Sequence, residues 1–498
     1  MVARLMTRRH FVRSAAAGTV SALLAACRPT PAPAVQPTAT TAPAAETPGV
    51  AAPTTAPAEV VEIRFEDESE VGPDGFKVFT DVLIPQFEEE NPGIKVKFEP
   101  AIGDWAQKIT AQMAAGDAPD VMVAYGNTAR QWMESEQLLP LEEEFTKDEL
   151  DDFYEAQLIA FDINNHLYEI PKYVSTVALA YNKDLMDEAG LDYPTADWTW
   201  DDFLMAADKL TKRDDSGKAS QWGYRVAQNY IQHWVWQNGG EWMDKDAMGT
   251  KILIDQPKAM EALRFNWDIL FTHKYSPSAQ EAEGVGTWDF FQTGKLGLHE
   301  AHSWQVTDFI LRNNFQYDYA LLPQKEKRVG HIFADGYGIY VGTKYKAESL
   351  KLLRFITSPE AETEMCTSVL GLQPSRKSVA PVWDTESQGA KAGLNVRAFS
   401  EMAAVARLDP YFKNHAKVME IYVPIRDAIW VTHLRRRLEW LNRRDRAERA
   451  SWRFPNKCAR WLQGGHRTAP AETCSISAAS AWRSRKRSLP GCSSPPGS

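Results

Sequence analysis

The chain is 498 residues long, 44% hydrophobic and 24% charged, with a formal net charge of −10. Residues 1–432 carry 41 Lys+Arg against 62 Asp+Glu, whereas residues 433–498 carry 15 against 4. The length allows two domains with real cores, and a body this acidic argues against nucleic acid or an anionic membrane surface as partner.

The N-terminal stretch TRRHFVRSAAAGTVSALLAAC has a charged start, a short apolar middle and small residues before a cysteine, which is the order of an export signal. Its apolar run is too short and too weak to span a membrane, which takes about 20 apolar residues. Arg8 and Arg9 followed by Phe11 resemble a twin-arginine motif, and Leu24 to Cys27 resemble a lipobox. Residues 1–27 are therefore read as an export signal, with Cys27 lipidated; export by the twin-arginine or the general route stays open. Residues 28–58 hold eight Pro, ten Ala and seven Thr and almost nothing to bury, so they read as an extended, disordered tether.

The body begins near Glu59. VVEIRFEDESE predicts a strand over 60–65. FKVFTDVLIPQFEEENPG predicts a helix stopped by Asn91-Pro92-Gly93. IKVKFEP predicts a second strand, WAQKITAQMAAG a helix ended by Gly116, and DVMVAYG a buried third strand. This strand–helix alternation implies a mostly parallel sheet. A second block, from about Asn182 to Lys327, predicts a helix entered at Thr199-Trp200-Asp201 and another over QPKAMEALRFNWDILFTH. GIYVGTKYKAESLKLLRFITSPEAE returns to a strand followed by helices. Two α/β lobes crossed more than once by one chain fit this order. Cys366 stands alone in the body, which reads as a buried thiol without a disulfide. Residues 433–498 form a basic tail of the Arg, Ser, Pro and Trp mixture that a shifted reading frame of GC-rich sequence yields. It is expected to be disordered; a functional basic arm is the other reading.

Seven pieces in order carry a resemblance: ENPGIKVKFEP, AGDAPDVMVAYG, VALAYNKDLMDEAGLDYP, DWTWDDFLMAADKLT, NGGEWMD, FFQTGKLGLHEAHSW, and SLKLLRFITSPEAE with GLQPSRKSV. Over about residues 60–432 the chain resembles the extracellular solute-binding lipoproteins of ABC transporters, in the carbohydrate-binding group that includes maltose-binding protein. The resemblance implies an α/β, periplasmic-binding-protein-like fold of type II, with two α/β lobes joined by a hinge and a ligand cleft between them. The first lobe is assigned 59–173 and 330–373, the second 174–329 and 374–432. It further implies an extracytoplasmic protein anchored to the cell membrane through Cys27, a monomer, with a carbohydrate as ligand, ABC permease subunits as partners, no catalytic activity and no cofactor. Two departures stand out: the loop after the first strand reads EDESE where many members have a Trp, and a basic tail stands where the closing helix is expected after Trp430.

A sugar presents hydroxyl edges to paired donors and acceptors and a C–H face to an aromatic ring, so its site is a cleft of aromatics with a few placed polar groups. The resemblance places Trp304 where a stacking aromatic stands, and Asp335 and Tyr337 at a Gly-containing crossing. Tyr125 and Asn127 follow a buried strand at its carboxyl end, where open α/β sheets bind ligands. Tyr173 and Ser175 lie on the crossover strand ending in YNK. Asn229, Tyr230 and Trp236, before NGG, are shared between site and core, and Glu68, beside Asp67, between a solvated loop and a ligand contact. Trp105, Trp198 and Trp200 are read as packing residues. His233, His299 and His302 lack metal-ligand spacing, so no metal site is expected. Two rivals stand beside the sugar reading: the same fold binding a polyamine, peptide or other cationic solute, which EDESE would suit, and a secreted glycosidase, which needs a carboxylate pair at a set separation.

Overall fold

The structure is a computed structural model describing residues 60–431 apart from 69–71, 229, 246, 247, 287, 288, 413 and 414. By internal contacts the chain separates into Met1–Pro57 and Ala58–Ser498, and the described residues lie in the second unit. The export signal with Cys27, the tether, and the basic tail from 433 lie outside the described residues.

Twelve strands are described: β1 (Val61–Asp67), β2 (Ile94–Pro100), β3 (Val121–Tyr125), β4 (Asp162–Ile163), β5 (His166–Leu167), β6 (Glu169–Asn182), β7 (Lys212–Arg213), β8 (Ala219–Tyr224), β9 (Leu296–His302), β10 (Tyr317–Ala320), β11 (Gly330–Ile339) and β12 (Ala406–Leu408). Ten of them form one sheet in the order β2-β1-β3-β11-β6-β9-β8-β7, with β10 paired to β6 and β12 to β11; β4 and β5 form a small hairpin. The pairs β1–β2, β1–β3, β8–β9 and β11–β12 are parallel. Those made by β6, and β11 with β3, are antiparallel, so the sheet is mixed.

Local signals set the element ends. The helix Trp105–Ala115 stops at Gly116, whose φ of 75° is left-handed and cheap only for glycine. The helix Trp200–Leu210 opens on a capping box, in which the Thr199 hydroxyl accepts from the Asp202 N–H and the Asp202 carboxylate accepts from the Thr199 N–H at 2.9 Å. The helix expected over 76–90 is interrupted, with π-helical turns at Val78–Leu83 between Pro73–Lys77 and Ile84–Glu90.

Three hydrophobic cores flank the sheet. The first gathers β1, β3, the start of β6, most of β11 and the helices Lys346–Ile356 and Pro359–Thr367. The second and third lie on opposite faces of the remaining half. All fourteen residues of β6 are buried. Val177, Leu179 and Tyr181 enter the second core while Ala178 and Ala180 enter the third, the period-two alternation of a strand covered on both faces. Thus β6 runs from the first core into the other two. The antiparallel strand β11 lies beside it, with a register shift between Asp335 and Gly336. A Cβ on Gly336 would lie 2.7 Å from Phe161 Cζ and 2.9 Å from Glu169 Oε2, so only glycine fits there. Cys366 is buried, and burial pushes its thiol up to about 12.

Candidate functional site

The carboxyl ends of the parallel strands converge where β6 and β11 cross between the cores. From the first core come Asp67 and Glu68 at the end of β1, and Tyr125 at the end of β3, from which the helix Gly126–Glu134 starts. From the other side come His302 at the end of β9, Trp304 just after it, and Tyr230 in the segment after β8. The crossing strands add Tyr173, Ser175, Phe333 and Asp335. Asp335 pairs with Tyr125 on β3 and with Tyr173 on β6, and Phe333 pairs with Ser175, so these five side chains share a face.

An aromatic and histidine cluster fills the crossing. Tyr230 meets His302 at 6.0 Å, His331 at 6.1 Å and Phe333 at 5.2 Å between ring centroids. His302 lies 6.0 Å from Trp304 and 5.0 Å from Phe333, and its Nδ1 is 3.3 Å from Ser175 Oγ. Trp304 is half-buried and packs against the first core, although its chain neighbours at the end of β9 belong to the other half. Behind the cluster, Glu300 Oε1 lies 3.0 Å from His233 Nε2 and accepts from Trp234 Nε1 at 2.7 Å. Burial pushes the Glu300 carboxyl up, but His233, Tyr224 and Trp234 outweigh it and hold the group below the usual range.

A buried triad fixes the end of β1. Lys172 Nζ donates to Asp67 Oδ1 at 2.5 Å, Tyr337 Oη donates to Asp67 Oδ2 at 2.6 Å, and the Glu68 N–H donates to Asp67 Oδ1 at 2.7 Å. Lys172 also reaches the Glu68 carbonyl at 3.4 Å. Burial still pushes Asp67 above the usual carboxylate range against the pull of Lys172. Next to it, Glu66 is buried with neither carboxyl oxygen hydrogen-bonded, and burial followed by the Asp67 charge pushes it up to about 8. Glu169 is also without hydrogen-bond partners and is raised well above the usual range by burial, then by Asp335.

The predicted residues divide. Trp304, Tyr230, Ser175, Tyr173, Asp335, Tyr125 and Glu68 line the crossing or its rim. Tyr337 lies inside the first core with its hydroxyl held by Asp67. Trp236 is fully buried, with Arg407 over its ring at 4.7 Å. Asn127 lies in the first turn of the helix Gly126–Glu134, its side chain outside the described part, and Asn229 lies outside the described residues. The expected packing roles of Trp105 and Trp200 match their burial, and Trp200 Nε1 donates to Gln237 Oε1 at 2.8 Å. His302, Phe333 and Lys172 were missed. For His302 the available signal was its place at a strand's carboxyl end, two residues before Trp304.

An α/β sheet with cores at both ends, crossed by shared strands where aromatics and polar groups meet, is the periplasmic-binding-protein-like fold of type II, the fold of solute-binding proteins. The family model described as bacterial extracellular solute-binding protein matches residues 72–363, and the chain belongs to that family. The solved ABC substrate-binding protein Lmo0181 from Listeria monocytogenes, in complex with cycloalternan, is 27% identical with a TM-score of 0.62, covering 73% of this chain and 91% of that one. The arabinooligosaccharide-binding protein of Bacillus subtilis is 22% identical over 367 residues, 70% of this chain and 78% of its own. The sn-glycerol-3-phosphate-binding periplasmic protein UgpB of Shigella dysenteriae is 30% identical over 258 residues, 49% of this chain and 57% of its own.

Proposed function

We propose that this solute-binding protein captures a carbohydrate, mono- or oligosaccharide, and delivers it to ABC transporter permease subunits. The observation that carries this reading is the pairing of ring faces with hydroxyl-reading groups at one place: Trp304, Tyr230 and Phe333 beside Ser175, His302 and Asp335. Rings take the C–H face of a sugar, and the polar groups exchange hydrogen bonds with its edge. The sugar-binding relatives support the same class of solute. Capture works by closure of two lobes, bounded at 59–173 with 330–373 and 174–329 with 374–432, around β6 and β11 as the hinge. Solute contacting both lobes favours the closed state, which the permease reads. The protein acts as a monomer held to the outer face of the membrane through lipidated Cys27.

The cationic-solute reading loses its main support. Of the acids in EDESE, Asp67 is ion-paired with Lys172, and Glu66 is buried with its carboxyl pushed up to about 8 by burial. A polyol phosphate enters the test because the UgpB relative is a glycerol-3-phosphate-binding protein. A thermal-shift screen followed by calorimetry with maltotriose, arabinooligosaccharides, sn-glycerol 3-phosphate and putrescine tests the assignment. A ligand at a hundred times its Kd stabilises by roughly 2.7 kcal/mol. A response confined to putrescine, or to none of the sugars, overturns the carbohydrate reading.

A further inference from the structure

We propose that His302 is a solute-contacting residue and that capture needs its uncharged imidazole, so that the cleft loads at neutral pH and releases in acid. The proposal rests on the carbohydrate reading for its ligand and on the geometry of the crossing for its mechanism.

His302 is 3% exposed and stands at the centre of the candidate site rather than at its edge. Trp304, Tyr230 and Phe333 surround its ring, and Ser175 Oγ is at its Nδ1. Three of these four neighbours, Trp304, Tyr230 and Ser175, are site candidates on the resemblance and on their place in the chain. A neutral imidazole both donates and accepts a hydrogen bond, which suits a hydroxyl. An imidazolium only donates, and it carries a charge that burial among rings does not solvate.

The groups facing His302 make that charge costly. Three more imidazoles lie near it: His331 from β11, His233 from the helix Gln232–Gln237, and His299 from β9 itself. Four of the ten histidines in the chain thus share one region. The nearby carboxylates are engaged elsewhere. Glu300 is held by His233 and Trp234. Asp409 accepts from Gln232 at 2.8 Å and lies 3.3 Å from His331 Nε2. Asp335 sits two residues along β11 from Phe333, in the row of Tyr173 and Tyr125. Arg407 lies over Trp236 and is paired with Glu241 at 2.8 Å, and Arg225 lies over Phe290. Burial, then His331, His299 and His233, hold the His302 imidazole well below the usual histidine range.

The direction of the pH effect follows. With the site sealed, His302 stays neutral; with the site open to water its desolvation eases, and its affinity for a proton rises while the neighbouring imidazoles still hold it below the usual histidine range. The open, empty state therefore takes up a proton that the closed state refuses, and affinity falls as pH drops through the open-state value. For one linked proton the ceiling is tenfold per pH unit below that value. The stability sign is the same. A histidine whose folded value is depressed contributes full stability above its unfolded value, and that contribution is lost as pH falls.

The test uses the full chain with maltotriose as the probe, titrated by calorimetry at pH 7.5 and 5.0, and melting curves of the free chain at both pH values. The expected result is a tenfold or larger loss of maltotriose affinity at pH 5.0 in the wild type, and a flattened profile in His302→Gln together with weaker binding at pH 7.5. The free wild type is expected to lose more melting temperature on acidification than His302→Gln. Equal pH profiles in the two proteins, or a flat wild-type profile, overturn the proposal. If maltotriose binds at neither pH, the carbohydrate reading is what suffers, and the melting curves alone decide the histidine. If His302→Gln does not fold, ring titration by NMR in the free wild type decides, and a His302 midpoint at the usual 6.5 overturns the proposal.

Discussion

Replacing Lys172 by Met leaves Asp67 buried and without its cation. Asp67 is fully buried and Lys172 is 2% exposed, so neither group is screened by solvent. Breaking a buried ion pair by removing one partner costs about 3–5 kcal/mol, because the remaining charge stays desolvated. Tyr337 Oη and the Glu68 N–H still donate to the carboxylate, which places the expected loss at the lower end, about 3 kcal/mol. Burial already raises Asp67 above the ordinary range, and without Lys172 it rises further. A carboxyl raised in the folded state contributes stability that is present below its unfolded value, near 3.9, and is lost as pH rises through the folded value. The deficit of Lys172→Met is therefore expected to be small near pH 4.5 and full at pH 7.5. Urea unfolding followed by tryptophan fluorescence at the two pH values measures it. A deficit below about 1 kcal/mol at pH 7.5, or one that does not shrink in acid, refutes the reasoning. The double variant Lys172→Met/Asp67→Asn should recover part of the loss, since the stranded charge goes with the aspartate.

Trp304→Ala removes a half-buried ring wall and should weaken sugar binding by about 1.5–3 kcal/mol in calorimetry with little change in melting; large destabilisation at unchanged affinity would make it a core residue. Glu66→Gln removes an uncompensated buried carboxyl that is raised to about 8, so its stability gain over wild type should grow as pH rises from 4.5 to 8, and a pH-independent difference in urea midpoints would count against this. Gly336→Ala drives a methyl into Phe161 and Glu169 and should cost about 1–3 kcal/mol; an unchanged melting curve would mean that β11 shifts freely. Cys27→Ser should move the protein from the membrane fraction to the soluble fraction, and retention on the membrane would end the lipid-anchor reading.

The parts of the fold that were legible from the chain are those set by neighbours in sequence. The strand IKVKFEP was read as 94–100, the stop at Gly116 follows from a left-handed residue, and Thr199 with Asp202 caps a helix three residues away. The π-helical turns at Val78–Leu83 and Asp268–Thr272 have no such signal, because they answer to packing rather than to composition. Candidate site residues were legible where an aromatic or polar group follows a strand's carboxyl end, as Tyr125 and Trp304 do. They were not legible where function depends on a distant partner. Lys172 breaks the apolar run of a strand and reads as exposed, yet it is buried against Asp67, 105 positions earlier. Tyr337 looked ligand-facing for the same reason in reverse, since its hydroxyl partner is 270 positions away.

The placement of the site also decides which contacts can drive closure. A ligand shifts a two-state equilibrium only by its differential affinity for the two states. Tyr173 and Ser175 lie on β6, the strand that runs from the first core into the other two, and Phe333 and Asp335 lie beside them on β11, whose core residues belong to the first core. A sugar bonded to those four gains nearly the same contacts whether the proposed lobes are open or shut. The difference comes from residues anchored on one side only, Tyr125 and Glu68 at the ends of β3 and β1, and His302, Trp304 and Tyr230 on the opposite side. Trp304 is the extreme case, because it belongs by chain to one half and packs on the core of the other. Under the proposed carbohydrate reading, residues of the crossing strands would set affinity for the open form, and the flanking residues would set how strongly solute closes it.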